Sequence, residues 1–483
     1  MATSKKGRPL TQPTLPANLS ALLSSFQSCF TQPSYSNFLL MITGWITCQG
    51  RHSISRVIQA AGEQARDKHH SVFYRFLSRG QWSIDALGKA VFCLLRPWLP
   101  ARIVVIVDDT LCHKSGPHIF GAHMHYDASQ STYGRSAGGD RKTFFAFGHN
   151  WVVLALWLAL PWNPDRGLAI PILFRLYRGK KRCPESQYRK RTQLAVDLVE
   201  LLSSWLPTDR TICLVGDAEY ACRTLVRTLP ERIFFTGPMS MDAALFDEPG
   251  VQKGRGRRRI KGDRLPSPQK LARCRSIPWE EIEITIYGRS VNILIKSQVC
   301  MWYTVAGKAL VRMVLTRDPT GSIKDRAYFT TDASASSAEL LAQFARRWEI
   351  EVAFRNAKQV MGLEDPQNGW WRRETSEPKP KKKAGPNPRG RRGETAVNHT
   401  LALAFAAYAL IIIWYLQYGD RARDVEEVRR DAPWYLHKSH PSFLDMIAAV
   451  RREIWAARFS AHPDFKRVSE NIRDLLPQWL MAA

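Results

Sequence analysis

Two apolar runs in this chain end in carboxylates. ARIVVIVDDT (101–110) closes on Asp108 and Asp109, and TICLVGDAEY (211–220) carries Asp217. Their β-branched content reads as buried strand. An acid just past such a strand emerges at a sheet edge, where α/β folds take ligands. The same placement also suits a turn former or helix cap. A third acid, Glu351, lies in FARRWEIEVAFRNAK (344–358), which reads as one amphipathic helix. At about 100° per residue, Phe344, Arg347, Glu351 and Lys358 fall within a stripe of about 60°. A solvated helix face would space its charges in the same way. Taken jointly, three carboxylates without His or Cys suit hard divalent ions such as Mg²⁺ or Mn²⁺. Two such ions about 4 Å apart serve phosphodiester chemistry by activating a hydroxyl and stabilising the leaving oxygen. On this reading Asp217, Glu351 and one of Asp108 and Asp109 are catalytic and bind the metal. Asp109 is an alternate to Asp108, because adjacent strand residues face opposite sides. Arg347 and Lys358, on the stripe of Glu351, would face a phosphate backbone.

The charge of the chain points to the same class of substrate. Seventy Lys and Arg against 43 Asp and Glu leave a formal +27 over 483 residues. Such a field attracts polyanions, nucleic acid before anionic membrane. The excess is concentrated: 253–264 holds seven cations against one acid, and 372–392 holds nine against two. Both stretches are rich in Gly or Pro and lack an apolar period, so they read as loops. Arg257, Arg258, Arg259, Lys381, Lys382, Lys383, Arg391 and Arg392 are their expected DNA contacts. Binding through such loops should weaken steeply with salt. Nine scattered Cys without a CxxC pair argue against a disulfide framework and favour a reducing compartment. The N-terminus has basic residues with no apolar run behind them, unlike a secretory signal.

Several elements must position these residues. Residues 1–100 read as helical, and RHSISRVIQAAG with SVFYRFLSRGQW (51–62 and 71–82) fits either a helix-turn-helix DNA reader or a plain bundle. Strands and helices alternate over 101–235, with a hairpin signal at WNPDRG (162–167). Alternating strands dominate 236–330. Helical period returns over 331–420, and 421–483 is a polar helical tail. LALAFAAYALIIIWYL (401–416) has 16 uninterrupted apolar residues, short of the roughly 18–20 that span a bilayer, so a helix buried within a large core is expected. The histidines of HKSGPHIFGAHMHYD (113–127) lack a recognisable zinc spacing. Lys114 and Gly116 read instead as approaching DNA backbone. Trp302, in CMWYT, is either core or a platform for an unpaired base.

At these residues the sequence resembles DDE transposases of the prokaryotic insertion-sequence type. More narrowly, it resembles the branch with a Tyr-x2-Arg-x3-Glu-x6-Lys signature. Here that signature reads Phe344, Arg347, Glu351 and Lys358, with Phe in place of Tyr. Asp108 with Thr110 matches the family's first aspartate, and Asp217 with Tyr220 matches the second. The resemblance implies a ribonuclease-H-like catalytic core, a mixed sheet with flanking helices. That core is interrupted by a β-rich insertion and flanked by helical N- and C-terminal regions. The implied segments are 1–100 (DNA-binding), 101–235 (core), 236–330 (insertion), 331–420 (core, signature helix and basic loop) and 421–483. The resemblance implies two Mg²⁺ or Mn²⁺ ions, double-stranded DNA as substrate, and a homodimer joining two transposon ends without any membrane. A prokaryotic, nucleoid-associated cytoplasmic location follows. The implied reaction cuts at transposon ends and transfers the freed 3′-hydroxyl to target DNA. A nuclease without strand transfer and an inactive transposase-derived DNA-binding protein are the alternatives.

Overall fold

The computed structural model describes residues 13–115, 119–128, 130–131, 143–207, 209–250, 258–286, 288–366 and 390–461. The chain divides into two units. One comprises residues 1–97, 111–149 and 355–483, and the other 98–110 and 150–354.

The first unit is mainly helical. Its N-terminal part holds α1 (Ala17–Ser24), α2 (Gln32–Thr47), α3 (Ile54–Ala60), α4 (Glu63–Arg66), α5 (Ser71–Arg79) and α6 (Ile84–Leu95). Ser53 and Ser83 cap α3 and α6 by accepting backbone N–H bonds from Arg56 and Ala86. α2 and α3 approach so closely that a Cβ on Gly44 would lie 2.1 Å from the Val57 carbonyl oxygen.

The strands begin with β1 (Arg102–His113), β2 (His123–Tyr126), β3 (Phe145–Leu160) and β4 (Asn163–Tyr177). β1 continues through both aspartates to His113, whereas the sequence has it stopping at them. The expected hairpin joins β3 to β4, which pair antiparallel. Helix α7 (Arg191–Trp205) leads to β5 (Thr211–Gly216), and α8 (Arg223–Val226) to β6 (Ile233–Met239). Then follow α9 (Pro268–Arg273), β7 (Glu280–Ile286), β8 (Arg289–Met301), α10 (Tyr303–Ala306), β9 (Leu310–Arg317) and β10 (Arg326–Thr330).

In the second unit these strands make one mixed sheet ordered β3-β1-β5-β6-β10-β9-β8-β7, with β4 on β3. β1 runs parallel to β5 and β5 to β6, while β10 is antiparallel to β6. This large mixed sheet with its helices is consistent with the ribonuclease-H-like expectation. The strand-rich stretch after residue 236 is not set apart: β7 to β10 extend the same sheet. They also form a floor, on which Ile284, Ile295 and Val314 bury Leu340 and Leu341 of α11 (Ser337–Ala345). Helix α12 (Trp348–Gln359) follows after a two-residue turn.

The remaining helices are α13 (Arg391–Tyr418), α14 (Arg421–Asp431) and α15 (Phe443–Ala461). Within the first unit α13 packs against α1, α2, α5, α6 and α15. It is the one helix among the described residues long and apolar enough to cross a membrane, and 89% of its apolar window is buried. A helix apolar all round needs such a jacket, and here N- and C-terminal helices supply it together. His399 inside that jacket hydrogen-bonds the carbonyls of Leu77 and Trp82 through its two ring nitrogens.

Candidate active site

Register sets the first two acids side by side. β1 and β5 pair in parallel down to Val107 opposite Gly216. The next residue on each chain is Asp108 and Asp217, on strands about 4.8 Å apart. Asp217 folds into a turn in which its Oδ1 accepts the N–H groups of Glu219 (2.9 Å) and Tyr220 (3.3 Å). Gly216 makes that turn compact, since a Cβ there would meet the Tyr220 Cβ at 2.9 Å.

The third acid arrives from a helix that is not the single rod its sequence suggests. α11 ends at Ala345, Arg346 and Arg347 form a turn, and α12 starts at Trp348. The N–H of Arg347 bonds the Phe344 carbonyl (3.0 Å) and that of Ile350 the Arg347 carbonyl (3.2 Å), so i to i+3 bonds interrupt the α-helical ladder. The stripe expected from Phe344 to Lys358 is thereby broken after Phe344. The two arginines of the turn have different partners. The Arg346 guanidinium lies 4.0 Å from the Trp157 ring centre. Arg347 bridges two acids, Nη1 to Asp108 Oδ2 (2.8 Å) and Nη2 to Glu351 Oε1 (2.7 Å).

Burial pushes the Asp108 carboxyl up to about 7; Arg347 opposes the shift, while Asp217 and Asp109 add to it. Burial disfavours the Arg347 charge, but Asp108 and Glu351 outweigh it and hold its pKa above the ordinary value. As ligands, three carboxylates without sulfur or imidazole would suit Mg²⁺ or Mn²⁺. A guanidinium already neutralises two of the three. Among the described residues no three His, Cys, Asp or Glu side chains stand together as a metal cage.

Asp109 has other partners, as strand alternation requires. Its Oδ2 accepts from Asn150 Nδ2 (2.5 Å) and from Arg191 Nη1 (3.0 Å). The other arm of Arg191 reaches Glu219 Oε2 at 2.6 Å. One guanidinium therefore ties the residue after Asp108 to the residue two past Asp217. The fully buried Tyr220 hydroxyl has no hydrogen-bond partner among the described residues. Sequence reasoning missed Arg191, Asn150 and Glu219. Only the DAEY context of Glu219 carried a signal, since Arg191 lies in a run of cations resembling any solvated surface. Replacing Arg191 by Ala is expected to lower stability by about 1–3 kcal/mol, the cost of leaving half-buried carboxylates unpaired. Urea unfolding of the variant measures this, and Lys should not restore it, because one ammonium lacks the fork.

The expected DNA contacts have varied placements. Lys358 Nζ donates to the Leu111 carbonyl (2.7 Å) and lies 3.9 Å from Glu364. Lys114 departs from its expected role: its ammonium donates to the carbonyls of Glu364 (2.8 Å) and Pro366 (3.0 Å), and burial lowers its pKa. A side chain so engaged ties backbone together. Trp302 takes the first of its two readings, core: it is buried, with its ring perpendicular to that of Phe329. Phe344 packs on Tyr328 at 4.7 Å between ring centres. Arg258, Arg259, Arg391 and Arg392 are exposed. Gly116, Arg257, Lys381, Lys382 and Lys383 lie outside the described residues.

The family described as DDE superfamily endonuclease matches residues 25–287, more than half of the chain. That span contains Asp108 and Asp217 and ends before Glu351. No curated protein gives a significant match.

Proposed function

Because the chain belongs to the DDE superfamily of endonucleases, whose members typically use divalent metal ions, we propose that it is a DNA transposase. It cuts double-stranded DNA at the ends of its own element and joins the freed 3′-hydroxyl to target DNA. The observation that carries this reading is the meeting of Asp108 and Glu351 on one guanidinium, beside an Asp217 fixed by strand register.

Asp108, Asp217 and Glu351 would hold two Mg²⁺ or Mn²⁺ ions, whereas Asp109 is engaged by Asn150 and Arg191. Such ions would supply a lowered pKa for the attacking water and an offset for charge on the leaving oxygen. In the first step the water oxygen bonds to phosphorus and the bond from phosphorus to the 3′-oxygen breaks. The water gives up a proton and the 3′-oxygen takes one. In the second step that 3′-hydroxyl loses its proton and attacks a target phosphorus, expelling the target's own 3′-oxygen, which takes up a proton. Arg347 binds a phosphate next to the reacting one, and Lys358 is a further DNA contact. Arg258, Arg259, Arg391 and Arg392, with Arg257 and Lys381 to Lys383, bind the duplex farther out. Two element ends require two such sites, so a homodimer is the working form.

The family's description as an endonuclease also supports cleavage without joining. An assay with labelled duplex carrying the element's ends, an unlabelled target and Mg²⁺ separates the two. Transposition predicts a labelled strand covalently joined to target. Cut ends without joined product would establish the nuclease, and no cutting at all would overturn both readings.

A further inference from the structure

We propose that Arg347 is the resident counter-cation of the site, so that divalent metal binds well only once DNA draws its guanidinium away. This inference rests on reading Asp108, Asp217 and Glu351 as the metal ligands. Arg347 holds one oxygen of Asp108 and one of Glu351 at 2.8 and 2.7 Å, and its side chain is only 20% exposed. A divalent ion coordinates carboxylate oxygen at about 2.1 Å and would draw on the same two carboxylates. Guanidinium and metal therefore compete for the same two negative charges, and their own charges repel each other.

The backbone gives the guanidinium an independent mounting. Arg347 belongs to the two-residue turn between α11 and α12, with Arg346 held over Trp157. Its side chain can change partners while both helices stay packed. A phosphate diester is the natural alternative, because a guanidinium fork matches phosphate oxygens as well as carboxylate oxygens. DNA thus lowers the cost of clearing the two carboxylates. By linkage, metal must strengthen DNA binding by the factor by which DNA strengthens metal binding. The consequence is a site that stays closed to metal, and so to hydrolysis, until a substrate phosphate is present.

The test is Mn²⁺ binding to the full chain, read by isothermal titration calorimetry and by the loss of free-ion electron paramagnetic resonance signal. Without DNA, Arg347→Gln is expected to bind Mn²⁺ on the order of tenfold more tightly than wild type, the usual scale of such coupling. Arg347→Lys should lie between them, since one ammonium keeps charge without bridging both acids. A random-sequence 40-base-pair duplex at low salt should tighten Mn²⁺ binding to wild type and leave Arg347→Gln unchanged. Asp217→Asn is the control for the underlying reading. If Asp217→Asn leaves Mn²⁺ binding intact, the metal-ligand reading falls and the inference with it. If Asp217→Asn weakens binding while both Arg347 variants bind no better than wild type, the counter-cation role alone is overturned. A duplex that leaves wild-type affinity unaltered overturns the coupling to DNA.

Discussion

Glu351→Gln is expected to lower cleavage and strand transfer together by a factor on the order of 10³ or more. Metal coordination contributes several kcal/mol to stabilising the transition state, and each 1.36 kcal/mol is about tenfold in rate. Gln keeps the size of the side chain and an oxygen able to accept from Arg347 Nη2. It removes the anionic charge that a divalent ion requires. Because the Glu351 side chain is 36% exposed, the fold should tolerate the exchange. DNA binding measured without metal, which rests on cations, should be retained. The measurement is a gel assay for cut and joined strands at saturating Mg²⁺, paired with a binding assay on the same duplex. A variant as active as wild type would show that α12 carries no catalytic ligand. Asp217→Asn should show the same pattern of retained binding and lost cutting.

The second large effect is on pH. Burial raises the Asp108 carboxyl to about 7, with Asp217 and Asp109 adding to the shift against the pull of Arg347. A metal must displace the proton that this group carries at lower pH. At subsaturating Mg²⁺, cleavage should therefore rise about tenfold per pH unit from 5 and flatten above 7. The metal-free protein should behave in the opposite sense. Its Asp108 has a folded pKa above the ordinary carboxyl value of about 3.9. The stability it contributes is therefore fully present below that value and lost as pH rises through about 7. Thermal melts between pH 5.5 and 8 should show this decline, with saturating Mg²⁺ removing it. A cleavage profile already flat at pH 5 would mean that Asp108 ionises as an ordinary carboxyl and that its burial is relieved in the working enzyme.

Much of the site was legible because local sequence records local physics. β-branched runs before Asp108 and Asp217 mark buried strands, and an acid after such a run emerges at a sheet edge. The spacing from Arg347 to Glu351 is one helical turn, so their contact survives even though α11 and α12 are separate helices. Sixteen apolar residues without a charge predict a buried helix, and α13 is one. The break at Arg346 and Arg347 left no mark, because neither residue disfavours helix and the period continues across it.

The tertiary structure decided what depends on partners far along the chain. Arg347 meets Asp108 across 239 residues and Arg191 meets Asp109 across 82, and no periodicity encodes such meetings. They separate the two aspartates, giving one to Arg347 and the other to Arg191. Lys114 looked free to touch DNA, since a cation reads alike whether it faces solvent or carbonyls. The strands after residue 236 joined the main sheet because the edge of β6 offered them backbone partners, a property of the assembled sheet. The sequence determined the residue types, their local periods and the net charge. Only the folded chain determined which charges are buried against which, because burial and pairing are set by neighbours in space.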